Sequence, residues 1–377
     1  MIDQLKLLKW GSNMMTSQIH QINTNISSGD AIGNEMIEIR DVLRESGYES
    51  DVYAKYVHHK LENIKNYEDY LKISSPQNIL IIHYASEYGS ELLEFLRSLP
   101  DKKVLLYHNI TPPVFFRNFS SGHEQATKNG IYELKHEIKN IVDIALGVSE
   151  FNRQDLSNAG FKNTGVLPYL LNFNKFDIAP DKKVIQKYSD DFVNLLVVGR
   201  ISPNKKVDDA IKCFYYYNKY INPRSRLLLV GSYQGMDLYH NYLKDLILKL
   251  GLKNVHFTGH INLDELVSYY KIGNVFLTMS EHEGFCVPLL ESMYFGVPVL
   301  AYNSSAIPET LGGTGILINE KNYIEIAELI NLLVEDKKLR NRIVEKQSER
   351  LEFFSRERIA AILKHYIDTD FEDIDPK

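Results

Sequence analysis

Apolar and polar positions along the first half of the chain alternate between two patterns. Short apolar runs occur at Ile19–Ile22, Ser50–Ala54, Asn78–Tyr84 (NILIIHY), Lys103–Asn109 (KVLLYHN) and Ile144–Ser149. Two of them carry a histidine at their end, His83 and His108. Between the runs stand stretches with helical spacing, the first over Ala31–Glu45 and closing near Gly47, another beginning near Glu150. Strands that are apolar throughout, alternating with helices, predict a parallel, doubly wound α/β sheet covered on both faces.

Asn, Pro and Lys break this alternation between Pro168 and about Tyr188, after which it restarts. The second half predicts strands at Val193–Val198, Arg226–Gly231, Val255–Thr258, Val275–Met279, from Val297, and at Gly315–Ile318. Helices are expected over Val207–Tyr220, Met236–Leu250 and Leu263–Tyr270, and from Pro288 to Gly296, followed by helices to the end. Pro at the first helical position and Gly just past the last is the usual asymmetry of helix ends. The reading is two facing doubly wound domains, residues 1–172 and 173–355, with 377 residues fitting two domains better than one.

Composition removes several function classes. Hydrophobic residues at 44% and charged ones at 24% are ordinary for a globular protein, and a net charge of −6 argues against a mainly electrostatic nucleic-acid binder. Cys213 and Cys286 offer neither a disulfide framework nor metal spacing, which fits a reducing cytoplasm. No signal peptide is read at the N-terminus and no run approaches the roughly 18 apolar residues of a membrane span. The expected location is cytoplasmic, compatible with peripheral contact at the inner face of the plasma membrane. Asp-x-Asp occurs only in the acidic tail, at Asp368–Asp370 and Asp373–Asp375, so no metal site is expected.

The candidate chemistry lies at strand ends. Met279–Leu300 reads MSEHEGFCVPLLESMYFGVPVL, a buried strand, a polar loop, a helix and the next strand. Glu283 in the loop and Glu291, expected in the first helical turn, lie eight residues apart. Helix amides attract phosphate, and a carboxylate beside them can accept hydrogen bonds from sugar hydroxyls. An acid in a first turn is also favoured by the helix dipole alone. Val198–Lys206 (VGRISPNKK) ends a strand at Gly199 and projects Arg200 and Lys205 from one loop, a pair suited to a diphosphate. Asn25–Asn34 (NISSGDAIGN) puts Gly29 before a helix whose amides could approach a phosphate or sugar. Gly231-Ser232 and Gly259-His260 end strands on the side expected to hold a nucleotide. His83 and Ser149 are candidates for acceptor contact, although Ser149 also reads as a helix cap.

These phrases resemble retaining glycosyltransferase family 4, the glycosyl transferases of group 1. E-G-F-C-V-P-L-L-E followed by G-V-P-V-L resembles that family's Glu-x7-Glu signature, and VGRISPNKK its G-R-x-x-x-x-K loop. The likeness is strong over most of the second half, and the first half adds SSGDAIGNE, YHNITPP and ALGVSEFNRQDL. The departures are Cys286 and Lys206, each where a glycine is common, and Ser28 where two adjacent glycines are usual. The resemblance implies the GT-B fold, a last helix from about 356 to 377 crossing back to the first domain, and a metal-independent hexosyltransferase without cofactor. It implies Glu283, Arg200, Lys205 and His108 as catalytic, His108 against the donor hexose. The donor would be held by Gly29, Gly199, Arg200, Lys205, Gly231, Gly259, Glu283, Gly284, Phe285, Cys286, Val287, Leu289 and Glu291, the last on the ribose. The partners would be a nucleoside diphosphate sugar and a saccharide or lipid-linked acceptor. The HNITPP segment resembles bacterial polysaccharide mannosyltransferases, hence GDP-mannose. The alternatives are a UDP-sugar-dependent transferase and a non-catalytic sugar-nucleotide-binding protein.

Overall fold

The computed structural model describes residues 18–26, 29–57 and 63–368. The first sheet has seven strands: β1 (Ile19–Ile26), β2 (Val52–Val57), β3 (Ile64–Asn66), β4 (Ile79–Tyr84), β5 (Lys102–Tyr107), β6 (Ile144–Gly147) and β7 (Thr164–Val166). Their order is β3-β2-β1-β4-β5-β6-β7, and every pairing is parallel. The second has six: β8 (Val193–Val198), β9 (Ser225–Val230), β10 (Val255–Gly259), β11 (Val275–Thr278), β12 (Val299–Tyr302) and β13 (Ile316–Ile318). Its order is β10-β9-β8-β11-β12-β13, again parallel. These are two Rossmann-like α/β domains in the GT-B arrangement. Strand order reverses between β1 and β4 in one sheet and between β8 and β11 in the other, and open α/β sheets bind ligands at the carboxyl ends of such strands.

β4 and β9 are buried at every position, as strands covered by helices on both faces must be. One hydrophobic cluster joins the sheets, running from Ile81 and Leu106 through Tyr169, Leu170 and Phe285 to Leu289 and Phe276. We place the change of domain in the connection after β7, where the expected boundary at 172/173 falls just before the short turn Phe173–Phe176. The helix Arg356–Asp368 lies against the first sheet. There Arg356 forks onto Glu45 at 2.7 and 2.9 Å, and the Tyr366 hydroxyl accepts the Val166 N–H at 3.1 Å.

Several expectations need correction. The helix after Lys206 is α-helical only over Val207–Tyr216 and then turns π-helical over Tyr217–Ile221, ending where Asn222 N–H reaches back to the Tyr217 carbonyl at 2.8 Å. The strand expected from Val297 begins at Val299, since Val297 N–H still bonds the Ser292 carbonyl of the preceding helix. That preceding helix starts at Val287, one residue before Pro288, because Cys286 takes a left-handed conformation (φ 73°, ψ 65°) and releases the helix early. Glu291 is therefore its fifth residue, in the second turn, where the dipole argument for an acid no longer applies. Residues Ser27 and Ser28 of the expected glycine turn, and the tail from 369 onward, lie outside the described residues.

Candidate active site

Two loops at the carboxyl ends of β8 and β11 form the floor of the site. Asn204 stitches them together: its side chain accepts from Ser202 Oγ at 2.7 Å and donates to the His282 carbonyl at 3.0 Å, while its carbonyl accepts the Glu281 N–H at 2.9 Å. Held this way, Lys205 Nζ reaches Glu283 Oε2 at 2.5 Å. The Lys205 side chain is 28% exposed and that of Glu283 7%, so the pair opens to the cleft on the lysine side. Burial works against the Lys205 ammonium, but the Glu283 carboxylate outweighs it and holds the pKa above the ordinary lysine value. Lys206 turns away, its Nζ 3.7 Å from Asp208 and 3.9 Å from Asp209.

Arg200 does not join this pair. Its guanidinium contacts His123 Nε2 of the first domain at 3.1 Å and donates to the Gln234 carbonyl at 3.2 Å. Burial lowers its pKa, opposed by the charge of Asp30. Asp30 caps the helix Ala31–Glu45 through Gly33 N–H at 3.4 Å. Gly29 stands beside it with φ 82° and faces His260 of the second domain. Gly199, Gly231 and Gly259 end their strands together. A Cβ on Gly231 would meet the Gly199 carbonyl at 2.0 Å, so only glycine fits this approach.

Glu291 is buried, with Oε2 accepting the Tyr270 hydroxyl at 2.7 Å. Burial raises its pKa, against the pull of Lys175 and Tyr270. Phe285 and Leu289 point into the core, Phe285 against Tyr169 and Phe354, so their side chains pack rather than face the cleft. Val287 opens the helix and is packed against the same core. Gly284 passes so close to the first domain that a Cβ would lie 2.5 Å from the His108 carbonyl.

His108 and His83 are sealed inside the first domain. Gln21 Nε2 donates to the Met36 carbonyl at 2.9 Å, which leaves Gln21 Oε1 to accept from His83 Nε2 at 2.9 Å. His83 Nδ1 must then accept from His108 Nε2 at 3.0 Å, and His108 Nδ1 accepts the Tyr169 hydroxyl, also at 3.0 Å. Burial keeps both rings neutral: it drives the His83 pKa down to about 3 and that of His108 well below its usual value. With a side chain 1% exposed and both nitrogens engaged, His108 offers the cleft its backbone, not its ring. Ser149 is likewise occupied, accepting Asn152 N–H at 3.2 Å and donating to the Gly284 carbonyl at 2.7 Å.

Among the described residues, Glu35, His83 and His108 form the one group that could bring three metal-ligating atoms within 4.8 Å of each other. In the structure the His83 and His108 nitrogens of this group are hydrogen-bonded to each other at 3.0 Å. Glu35 is fully buried, and burial raises its pKa well above the usual carboxylate range.

The backbone explains the two departures from glycine. Asn109, Lys206, Cys286 and Ser305 all have positive φ, at 85°, 49°, 73° and 46°. Three of them border the Glu283 loop: Cys286 lies at its end, Ser305 Oγ accepts Glu283 N–H at 2.8 Å and Asn109 Oδ1 accepts from His282 Nε2 at 2.5 Å. Left-handed conformation costs a non-glycine residue about 1–2 kcal/mol, and such strain gathers at functional sites. The sequence signal for it was present in Cys286 and Lys206 standing where glycine is common. Asn204 and His123 carried no such signal, because their partners His282 and Arg200 come from distant parts of the chain.

Residues 177–350 match the family model described as glycosyl transferases group 1. That stretch is a group 1 glycosyltransferase domain. The serotype-specific mannosyltransferase WbdA of Escherichia coli is 26% identical over 152 residues, 40% of this chain and 18% of WbdA. CapM of Staphylococcus aureus, a capsular polysaccharide biosynthesis glycosyltransferase, is 29% identical over 189 residues, 48% of each chain. The chain thus spans less than half the length of these curated relatives. The solved structure of Anabaena Alr3699/HepE in complex with UDP and glucose superposes with a TM-score of 0.67 at 16% identity, covering 93% of this chain and 99% of that one. No described helix is long and apolar enough to cross a membrane.

Proposed function

We propose that the chain is a retaining, metal-independent hexosyltransferase of cell-surface polysaccharide synthesis. It moves a hexose, preferably mannose from GDP-mannose, to a saccharide or lipid-linked saccharide. The observation that carries this reading is the Lys205–Glu283 pair at the switch point of the second sheet. Lys205 and Arg200 supply cations for a departing diphosphate, Glu283 accepts from sugar hydroxyls, and Glu291 accepts from the ribose. In the step itself the anomeric C–O bond to the diphosphate breaks, with its electron pair going to the phosphate oxygen. The acceptor oxygen forms the new bond on the same face, and its proton leaves with the diphosphate. Fixed cations stabilise this charge more in the transition state than in the ground state. The preference for mannose rests on the mannosyltransferases among the relatives.

A UDP-sugar is the second reading, favoured by the UDP held in HepE. A thermal-shift panel of GDP-, UDP-, dTDP- and ADP-sugars, followed by assay of nucleotide release, tests both. GDP-mannose should raise the melting temperature most, by mass action. Stabilisation by a UDP-sugar alone would replace the donor assignment, and binding without turnover would favour a non-catalytic sugar-nucleotide-binding protein. Transfer should persist in excess EDTA, since the cations of the proposed site are side chains. Activity lost in EDTA and restored by magnesium or manganese would overturn the metal-free mechanism.

A further inference from the structure

The two domains are tied together beside Gly284 by a contact of Glu309 with the backbone of Glu150 and Phe151. The helix Glu150–Asn158 of the first domain has Ser149 as its N-cap, and the Ser149 hydroxyl serves the Asn152 amide. The amides of Glu150 and Phe151 face the second domain instead. There the Glu309 carboxylate accepts the Glu150 N–H at 2.8 and 2.9 Å through its two oxygens, and the Phe151 N–H at 3.4 Å. Glu309 is the third residue of the short helix Ile307–Leu311. Arg350 anchors that helix by donating to the carbonyls of Glu309 at 2.7 Å and Thr310 at 3.2 Å. Thr310 Oγ1 in turn donates to the Phe285 carbonyl at 2.6 Å, inside the loop that carries Glu283 and Gly284.

We infer that Glu309 is a positioning residue: its carboxylate caps a helix of the opposite domain and holds the Glu283–Gly284 loop in register with the edge of the first sheet. A carboxylate at a helix N-terminus gains from both charge-assisted hydrogen bonds and the helix dipole. Its partners are the two orphan amides that Ser149 leaves unserved. The same small region carries Ser149 Oγ on the Gly284 carbonyl and His282 Nε2 on Asn109 Oδ1. Glu309 therefore sets a geometry in which Gly284 can lie against the His108 carbonyl, the approach that admits no Cβ. The role rests on the proposed transfer, and it acts through the Glu150 and Phe151 amides.

The test combines amide hydrogen exchange with steady-state kinetics on full-length Glu309→Ala and Glu309→Gln. Loss of a helix cap should speed exchange at Glu150 and Phe151 by about tenfold. The same loss of register should lower kcat about tenfold in Glu309→Ala and less in Glu309→Gln, which keeps one acceptor oxygen. The Kd for free nucleoside diphosphate should stay within about twofold, since the cations proposed to hold it, Arg200 and Lys205, lie in the second domain. Unchanged exchange at the two amides overturns the cap, whatever the activity. Faster exchange with normal kcat overturns the positioning role and leaves a structural contact. A wild-type protein that transfers from no donor sinks the transfer reading and the positioning role together, while the exchange result still decides the cap.

Discussion

Lys205 and Glu283 in the second domain, and His83 and His108 in the first, are each joined by one hydrogen bond at the mouth of a parallel sheet. Along the chain the two pairs look alike, polar residues at or just past the ends of apolar strands. The structure treats them in opposite ways. In the charged pair Glu283 is buried but the Lys205 side chain stays 28% exposed, since desolvating an ammonium and a carboxylate completely would cost more than their attraction returns. The neutral pair is buried without that cost, because Gln21 and Tyr169 complete a chain of hydrogen bonds in which each ring nitrogen has a partner. A strand-end histidine is thus compatible with a wholly internal role, whereas Lys205, facing Glu283 from the loop past its strand, keeps part of its side chain exposed.

The largest effect is expected at the charged groups of the second domain. Removing the Arg200 guanidinium, or replacing Glu283 with Gln, should lower the single-turnover rate at saturating donor a hundredfold or more, roughly 2.7 kcal/mol of barrier. Near-normal rates in both variants would move the site elsewhere. Glu291→Ala should weaken nucleotide binding by about 1.5–3 kcal/mol through loss of a charged hydrogen bond, as measured by calorimetry. Unchanged affinity in a folded variant would remove Glu291 from the site.

The buried pair should show itself in stability. His83→Gln leaves the His108 ring with an imperfect partner and should cost about 1–3 kcal/mol in urea unfolding. The pH dependence sharpens this. His83 is held near pKa 3 in the fold against 6.5 unfolded, so between those values the unfolded chain binds more protons and stability falls as pH falls. Each such histidine contributes a slope of about 1.4 kcal/mol per pH unit. The slope below pH 6.5 should be shallower in His83→Gln than in wild type, and equal slopes would mean that His83 is not buried neutral.

Much of the fold was legible because long elements carry strong periodicity. Val193–Val198 and Ala31–Glu45 fall where the apolar pattern puts them. The three-residue strands β3 and β7 were not legible: Ile64–Asn66 and Thr164–Val166 are too short to show a period. β7 is defined instead by its neighbours, Gly165 leaving room for a Tyr366 ring from the far end of the chain. Residue type and spacing singled out Lys205 and Glu283, which the structure brings together, and Glu291, which it buries against Tyr270. Glu309 did not: an acid in the first turn of a short helix reads as dipole compensation, and its partners are amides 158 and 159 positions away. His108 misled for the converse reason, since sequence gives the end of a strand but not which way the ring turns.

Register in the Val198–Lys206 loop decides which lysine faces Glu283. Lys205 reaches Glu283 at 2.5 Å, while Lys206, in a left-handed conformation, turns toward Asp208 and Asp209. Single-turnover transfer at saturating donor, compared for Lys205→Ala and Lys206→Ala, tests this directly. The expected result is a loss of about a hundredfold or more for Lys205→Ala and less than about threefold for Lys206→Ala. A crippled Lys206→Ala beside a near-normal Lys205→Ala would contradict the account, and two near-normal variants would show that the diphosphate is held elsewhere.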